Sequence, residues 1–377
     1  MQKKEVGRAP QRLNLLAPFI ALIFTIGLAG CEHHTKKVEL NNDLIRRTDK
    51  FFDVAHATGG VFVTVGYEGR VLRSEDYGKT WAEIDPWPAD WSLSQVDFIG
   101  DSGWAVGHHG IIIHTRDGGK TWTPQQSNTE KTLFAVSFVD NLHGWACGDE
   151  STWLSTTNGG ETWEPHRIEV SQVGLRGDMT LAVPDIIYYS VKFINPNEGW
   201  LVGEYGNIRH TVDGGQTWDS QHESLLDELV AQGGTKDVMT LGAFFKVLFT
   251  DDQHGILVGA GGAVAVTDNA GQQWHWISRE GSKADVPGVH MYTVASPSND
   301  GKLVMVGTNG IILTSDNNGV DWQPAKTPGG VFTWINGLAF ADGGKGVLVG
   351  GKGVILTTSD SGKSWQEPAQ EQAERKG

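Results

Sequence analysis

GWAVGHHGIIIHTRDGGKTW, residues 103–122, contains the pattern from which the whole chain can be read. An apolar run closes on a Val-Gly dipeptide at Gly107, a tight turn follows, and a second β-branched run leads into Thr-Arg-Asp-Gly-Gly-Lys-Thr-Trp. Gly199–Trp218 repeats it almost residue for residue as GWLVGEYGNIRHTVDGGQTW. Searching outward for the terminal motif, Ser/Thr-x-Asp/Asn-x-Gly-x-x-Trp, finds seven copies. They place Asp76 with Trp81, Asp117 with Trp122, Asn158 with Trp163, Asp213 with Trp218, Asn269 with Trp274, Asn317 with Trp322 and Asp360 with Trp365.

A second landmark precedes every copy. An aliphatic residue opens a β-patterned stretch at Val54, Val96, Val136, Val191, Val247, Val294 and Leu338. From that residue to the tryptophan the distance is always 26 to 28 residues, so one supersecondary unit is repeated without internal insertion. Period-two alternation makes its segments strands. Seven units of four short strands, with no helix between them, predict an all-β chain folded as a seven-bladed β-propeller of four-stranded antiparallel blades. Fifty glycines and only 20% charged residues suit many strands joined by tight turns.

In each motif the Asp or Asn accepts hydrogen bonds from the backbone of its own turn, the hydroxyl reinforces it, and glycine allows the reversal. Each tryptophan covers 150–250 Å² of mostly apolar surface, on the order of 4–6 kcal/mol as an upper bound. These are structural Asp boxes: seven equivalent copies cannot together be one active site.

Residues 1–30 read as a secretory signal, with Lys3, Lys4, Arg8 and Arg12 before an apolar stretch too short to span a bilayer. Leu28-Ala29-Gly30-Cys31 resembles a bacterial lipobox, which marks Cys31 for lipidation. Residues 31–50 follow as a polar tether, 51–367 as the propeller and 368–377 as a polar tail. The expected location is therefore exported and lipid-anchored, on the periplasmic or lumenal side of a membrane. Glu32 after the cysteine favours the outer membrane. The other cysteine, Cys147, lies in a predicted strand and has no internal partner, so stability rests on packing. Net charge is −15; the signal carries four basic residues and one acid, leaving the rest at −18. Such a surface repels nucleic acid.

What differs between units is where function can be written. Connections from one tryptophan to the next landmark lengthen at 165–188, 220–243 and 276–290, all on the face opposite the Asp boxes. Insertion 220–243, with Leu226 and Leu229 among acids, reads as a short amphipathic helix. It either packs on its own blade or docks a partner. On the docking reading, its deletion should leave a folded propeller that no longer holds its partner. The turns after the Val-Gly dipeptides share that face and present Tyr67, Glu68, His108, His109, Asp149, Glu150, Glu204 and Tyr205 around the channel mouth. The two adjacent histidines diverge and no spaced His-x-His supports them, so no metal is assigned.

A sialidase-like glycoside hydrolase is the alternative reading, since such enzymes share Asp boxes. Its chemistry needs an arginine cluster and a tyrosine–acid pair, and residues 51–62 contain no arginine. The full repeat, as it stands at Gly103–Trp122 and Gly199–Trp218, resembles the photosystem II stability/assembly factor family over roughly residues 51–367. That resemblance implies a non-enzymatic helper without cofactor, binding a protein partner such as a membrane protein or complex under assembly. Two ways of closing the ring stay open: the tail after Trp365 completes its own blade, or the segment near Val38 adds the last strand.

Overall fold

The computed structural model describes residues 44–85, 91–168, 185–279, 286–298 and 300–368. Cys31, Val38 and most of the insertion 165–188 lie outside them. Among the described residues no helix is long and apolar enough to cross a membrane.

Seven antiparallel sheets follow in chain order, each formed by consecutive strands paired with their neighbours. The innermost strands are Phe51–His56, Leu93–Ile99, Leu133–Phe138, Tyr188–Phe193, Phe244–Phe249, Met291–Ala295 and Ile335–Ala341. Six sheets have four strands and the seventh has three. There Gln366 completes the edge: the Thr357 amide donates to the Gln366 carbonyl at 2.8 Å, and the Gln366 amide donates to the Thr357 carbonyl at 3.0 Å. The tail after Trp365 thus pairs with its own blade, the first of the two closures expected. Blade one then meets blade seven directly, the Asn336 side-chain amide donating to the Phe52 carbonyl at 2.8 Å.

Each Asp box folds the same way. In blade two, Thr115 Oγ1 accepts from the Gly119 amide at 3.0 Å and donates to Asp117 Oδ1 at 2.8 Å. Asp117 accepts from the Thr121 amide at 2.9 Å and the Thr121 hydroxyl at 2.7 Å. Where Asn replaces Asp the last bond reverses direction: Asn158 Nδ2 donates to Thr162 Oγ1 at 2.9 Å. Hydrogen bonds from the Thr217 hydroxyl and amide hold Asp213 down to about 2.

The boxes also join blades. Gly119 sits at φ +81, and a Cβ there would lie 2.7 Å from Val63 of the preceding blade. Five box tryptophans are buried; Trp81 and Trp218 are half-buried. In five blades the ring two residues after the landmark, Phe98, Phe138, Phe193, Phe249 or Phe340, meets its own box tryptophan edge-on or tilted. Phe138 lies flat on Gly144 of its own second strand, where a Cβ would be 2.2 Å from the ring. Its other face takes Trp104 of the preceding blade, stacked at 3.5 Å. Trp145 covers Phe193 and Trp200 covers Phe249 in the same manner.

The inner strands enclose a tunnel of about 270 Å³. Its polar side chains link each blade to the next. Asp53 accepts from the Val96 amide at 3.2 Å, Gln95 from Val136 at 2.8 Å, and Asp97 from Phe138 at 2.8 Å. Burial pushes Asp53 up to about 7, against the pull of the Lys246 ammonium and the Val96 and Val54 amides.

Insertion 220–243 does contain a helix, α1 (Glu223–Ala231). It packs on blade five. Leu225 is fully buried with Phe244 and Trp274, and Leu226 is 4% exposed. Ser224 bridges the Trp274 backbone at 2.9 Å both ways, and Trp276 Nε1 donates to the Leu225 carbonyl at 3.1 Å. This corrects the docking reading of Leu226. Leu225 and Leu226 are core, and removing 220–243 would expose the apolar surface shared by blades four and five rather than leave an intact scaffold.

Two stability predictions follow from these bonds. Asp117→Ala should lower unfolding stability by about 1–3 kcal/mol in urea titration, while Asp117→Asn, which copies blades three, five and six, should cost under half as much. Equal losses would show that the carboxylate charge rather than its acceptor geometry matters. Asp53 titrates above its unfolded value, so its folded form prefers the proton and its contribution to stability falls as pH rises from about 4 to about 7. Asp53→Asn should therefore gain on wild type between pH 5 and pH 8. An unchanged difference across that range would contradict the assignment.

Candidate functional site

Because strands alternate direction outward through a blade, the Asp boxes emerge on one face and the turns between second and third strands on the other. The connections to the next blade share that second face. It holds every candidate binding residue read from the turns. Tyr67, Glu68, His108, His109 and Glu150 are exposed, and Asp149, Glu204 and Tyr205 are half-buried.

Each turn places its second residue in the left-handed region: Glu68 at φ 56, His109 at φ 55, Glu150 at φ 53 and Tyr205 at φ 53. Blades five and six use Gly261 and Asn309 there, which accept that conformation readily. Glu68, His109 and Tyr205 hold it at a cost of order 1–2 kcal/mol each, a pattern seen where a side chain is retained for what it presents.

His109 packs on Trp91 at 4.0 Å. Among the described residues no group of three or more His, Cys, Asp or Glu could hold a metal ion. Leu226 of α1 is buried in the core, and Leu229 is half-buried. The end of the same insertion reaches the mouth: the Gly206 amide donates to the Gly242 carbonyl at 2.9 Å, and buried Leu241 lies so close to Gly206 that a Cβ there would be 2.5 Å from its own. The Tyr205 turn is braced from behind.

The centre of the mouth was not apparent from the sequence. Every inner strand begins with a register shift, a β-bulge. The residue at the bulge is Phe52, Ser94, Phe134, Tyr189, Phe245, Tyr292 or Asn336, each half-buried. Five are aromatic, and they touch one another around the ring: Phe134–Tyr189 at 5.7 Å, Tyr189–Phe245 at 5.3 Å, Phe245–Tyr292 at 5.7 Å, with Phe52 stacked on Trp334 at 5.8 Å. A usable signal existed: these residues all stand two places before the aliphatic landmark.

Around this collar lie Tyr67 at 44%, Trp91 at 49% and Phe332 at 77% exposure. The other exposed large apolar residues are aliphatic, and Leu142, Val212 and Val320 belong to the opposite face. Glu68→Gly and Tyr205→Gly should be neutral or stabilise the fold by up to about 1 kcal/mol, because relief of the left-handed strain exceeds the entropy of glycine. Calorimetry checks this, and a loss above about 1 kcal/mol would make these side chains structural.

The model of one protein family, photosynthesis system II assembly factor YCF48, matches residues 33–130 and 122–221. No curated protein matches the chain. Among solved structures, one of YCF48 bound to D1 peptide is similar with 19% identity and a TM-score of 0.60, covering 83% of this chain and 94% of that one. YCF48 from Cyanidioschyzon merolae gives 19% and 0.54, covering 73% and 84%. The WD40 propeller domain of Doa1, at 11% identity and a TM-score of 0.61, covers 85% and 98% and shares the architecture. The seven box-terminated blades and the family match agree, and the chain belongs to the photosynthesis system II assembly factor YCF48 family.

Proposed function

We propose that this chain is a non-catalytic exported propeller that holds a segment of a membrane protein during assembly of its complex, using the aromatic tunnel mouth. The observation that carries the reading is the concentration of exposed and half-buried aromatic rings on one face of a rigid ring. Contiguous aromatic surface of that kind marks protein-binding sites. Family membership and a related structure that contains a D1 peptide support a polypeptide ligand. We further propose lipid attachment at Cys31, which would tether the domain beside such a client.

The hydrolase reading finds little support. Tyr67 and Glu68, and Tyr205 and Glu204, are adjacent, but the arginines beside the first pair are engaged elsewhere and the second has only Arg209 within five residues of it. Arg70 pairs with Asp49 at 3.2 Å and Glu83 at 3.3 Å, and Arg73 with Glu75 at 2.5 Å.

The test is site-specific photo-crosslinking in native membranes, with a photoreactive residue at Phe332 or Trp91 on the aromatic face and at Val212 on the Asp-box face. Crosslinks from Phe332 and Trp91 to an integral membrane protein, and none from Val212, are expected. The opposite pattern would place the site on the Asp-box face.

A further inference from the structure

The tunnel mouth is uneven in charge, and that unevenness says what kind of segment fits. Between blades three and four, Tyr189 stands between Phe134 and Phe245. The turns that carry Asp149 and Glu204 are bonded just before these rings: the Asp149 amide donates to the Thr132 carbonyl at 3.0 Å, and the Glu204 amide donates to the Ile187 carbonyl at 3.0 Å. Besides burial, the charges of Glu204 and Asp149 and the nearby Tyr205 raise the pKa of Tyr189. Glu204 uses one oxygen to accept from the Ile187 amide at 3.1 Å, which fixes the carboxylate at the rim. Asp149 has no side-chain partner among the described residues.

The cations nearby are already committed. Lys131 pairs with Glu150 at 2.5 Å, Arg167 with Asp185, and Lys50 lies over the Tyr67 ring at 4.8 Å. Arg209 faces Tyr188, deeper between the blades. Lys192 and Lys246 line the tunnel below the mouth with Asp53 and Asp97. Two carboxylates beside three π-faces are therefore left unneutralised at the rim. Lys50 on Tyr67 shows that this face seats an ammonium on an aromatic ring when one is within reach.

We infer that the sector formed by Phe134, Asp149, Tyr189, Glu204 and Tyr205 receives a lysine or arginine side chain of the bound segment, so that the segment recognised is basic. The inference rests on the proposed protein-binding function of this face. A cation entering here stacks on the rings while Asp149 and Glu204 pair with it. The rings lower the local dielectric, so the charge pairing is stronger than on an open surface. An acidic segment would meet two unpaired carboxylates and be repelled.

The experiment uses the full-length chain and two fluorescein-labelled twelve-residue peptides, alike in Gly, Ser and Phe content. One carries three arginines and the other three citrullines, which keep the shape without the charge. Fluorescence anisotropy at low salt should show the arginine peptide binding at least about tenfold tighter, with the advantage shrinking as salt is raised. The double variant Asp149→Asn, Glu204→Gln should remove the advantage while keeping the wild-type melting temperature, since glutamine can still accept from Ile187. Equal binding of the two peptides overturns the inference, and so does an advantage that survives in a folded double variant. Should that double variant melt early, Tyr189→Leu gives the same decision through loss of the stacking ring. The crosslinking described above reports on the face as a whole, so a site there with no charge preference would sink the cation seat alone.

Discussion

Contact between consecutive blades is the constraint on which the rest of this structure depends. A four-stranded blade has two apolar faces and cannot bury either alone. Here the joint is a stack in which a tryptophan of one blade, a phenylalanine of the next, and a glycine of that second blade lie in layers. The Trp104 ring is only 3.5 Å from that of Phe138, and Phe138 can approach because Gly144 has no side chain to hold it off. The box tryptophan meets the same phenylalanine edge-on, so two different aromatic geometries fix one ring. Blades one and six lack the phenylalanine, having His56 and Ser296 at that place, and the box glycines Gly78 and Gly319 still dock on Val347 and Ile256 of the preceding blades.

That arrangement leaves the two faces unequal. The Asp-box face is occupied by its own hydrogen bonds: in every blade a hydroxyl, a carboxylate or amide and two or more backbone amides satisfy one another. Little polar capacity remains there for a ligand. On the other face, the turn amides bond to the carbonyls at the start of the inner strand, as Tyr67 does to Lys50 and His108 to Ser92, so most turn side chains are not needed to hold the turn. Such turns can carry left-handed tyrosine, histidine or glutamate because the ring below determines their backbone.

Much of the fold was legible because its determinants are local and repeated. The hydroxyl, the Asp or Asn, the glycine and the tryptophan of a box all act within eight residues, so seven aligned copies expose them. The turn residues from Tyr67 to Tyr205 were legible for the same reason, since each pair follows a Val-Gly dipeptide or, before Asp149, Cys147-Gly148. The aromatic collar was not. Phe134 and Tyr189 look like ordinary strand residues, and only a bulge, which period-two reading does not anticipate, turns them toward the tunnel mouth. Helix α1 was foreseen as an element, but its side facing solvent could not be told from its side facing blade five. Leu225 and Leu226 are separated from Trp274 by some fifty residues, and that contact is set by tertiary packing alone.

Asp53, Asp97, Lys192 and Lys246 show how a repeated scaffold can tolerate charge at its axis. An acid in a narrow tunnel is expensive unless it is hydrogen-bonded and balanced. Asp53 and Asp97 meet the first condition through the Val96 and Phe138 amides of the following blades, and the two lysines meet the second. The acids therefore act as inter-blade links. Lys192 and Lys246 line the tunnel with Asp53 and Asp97, while Asp149 and Glu204 belong to the turns at its mouth. Burial works against charge at this axis, raising Asp53 to about 7 and lowering Lys192, so the hydrogen bonds from the neighbouring blades are what keep these groups in place.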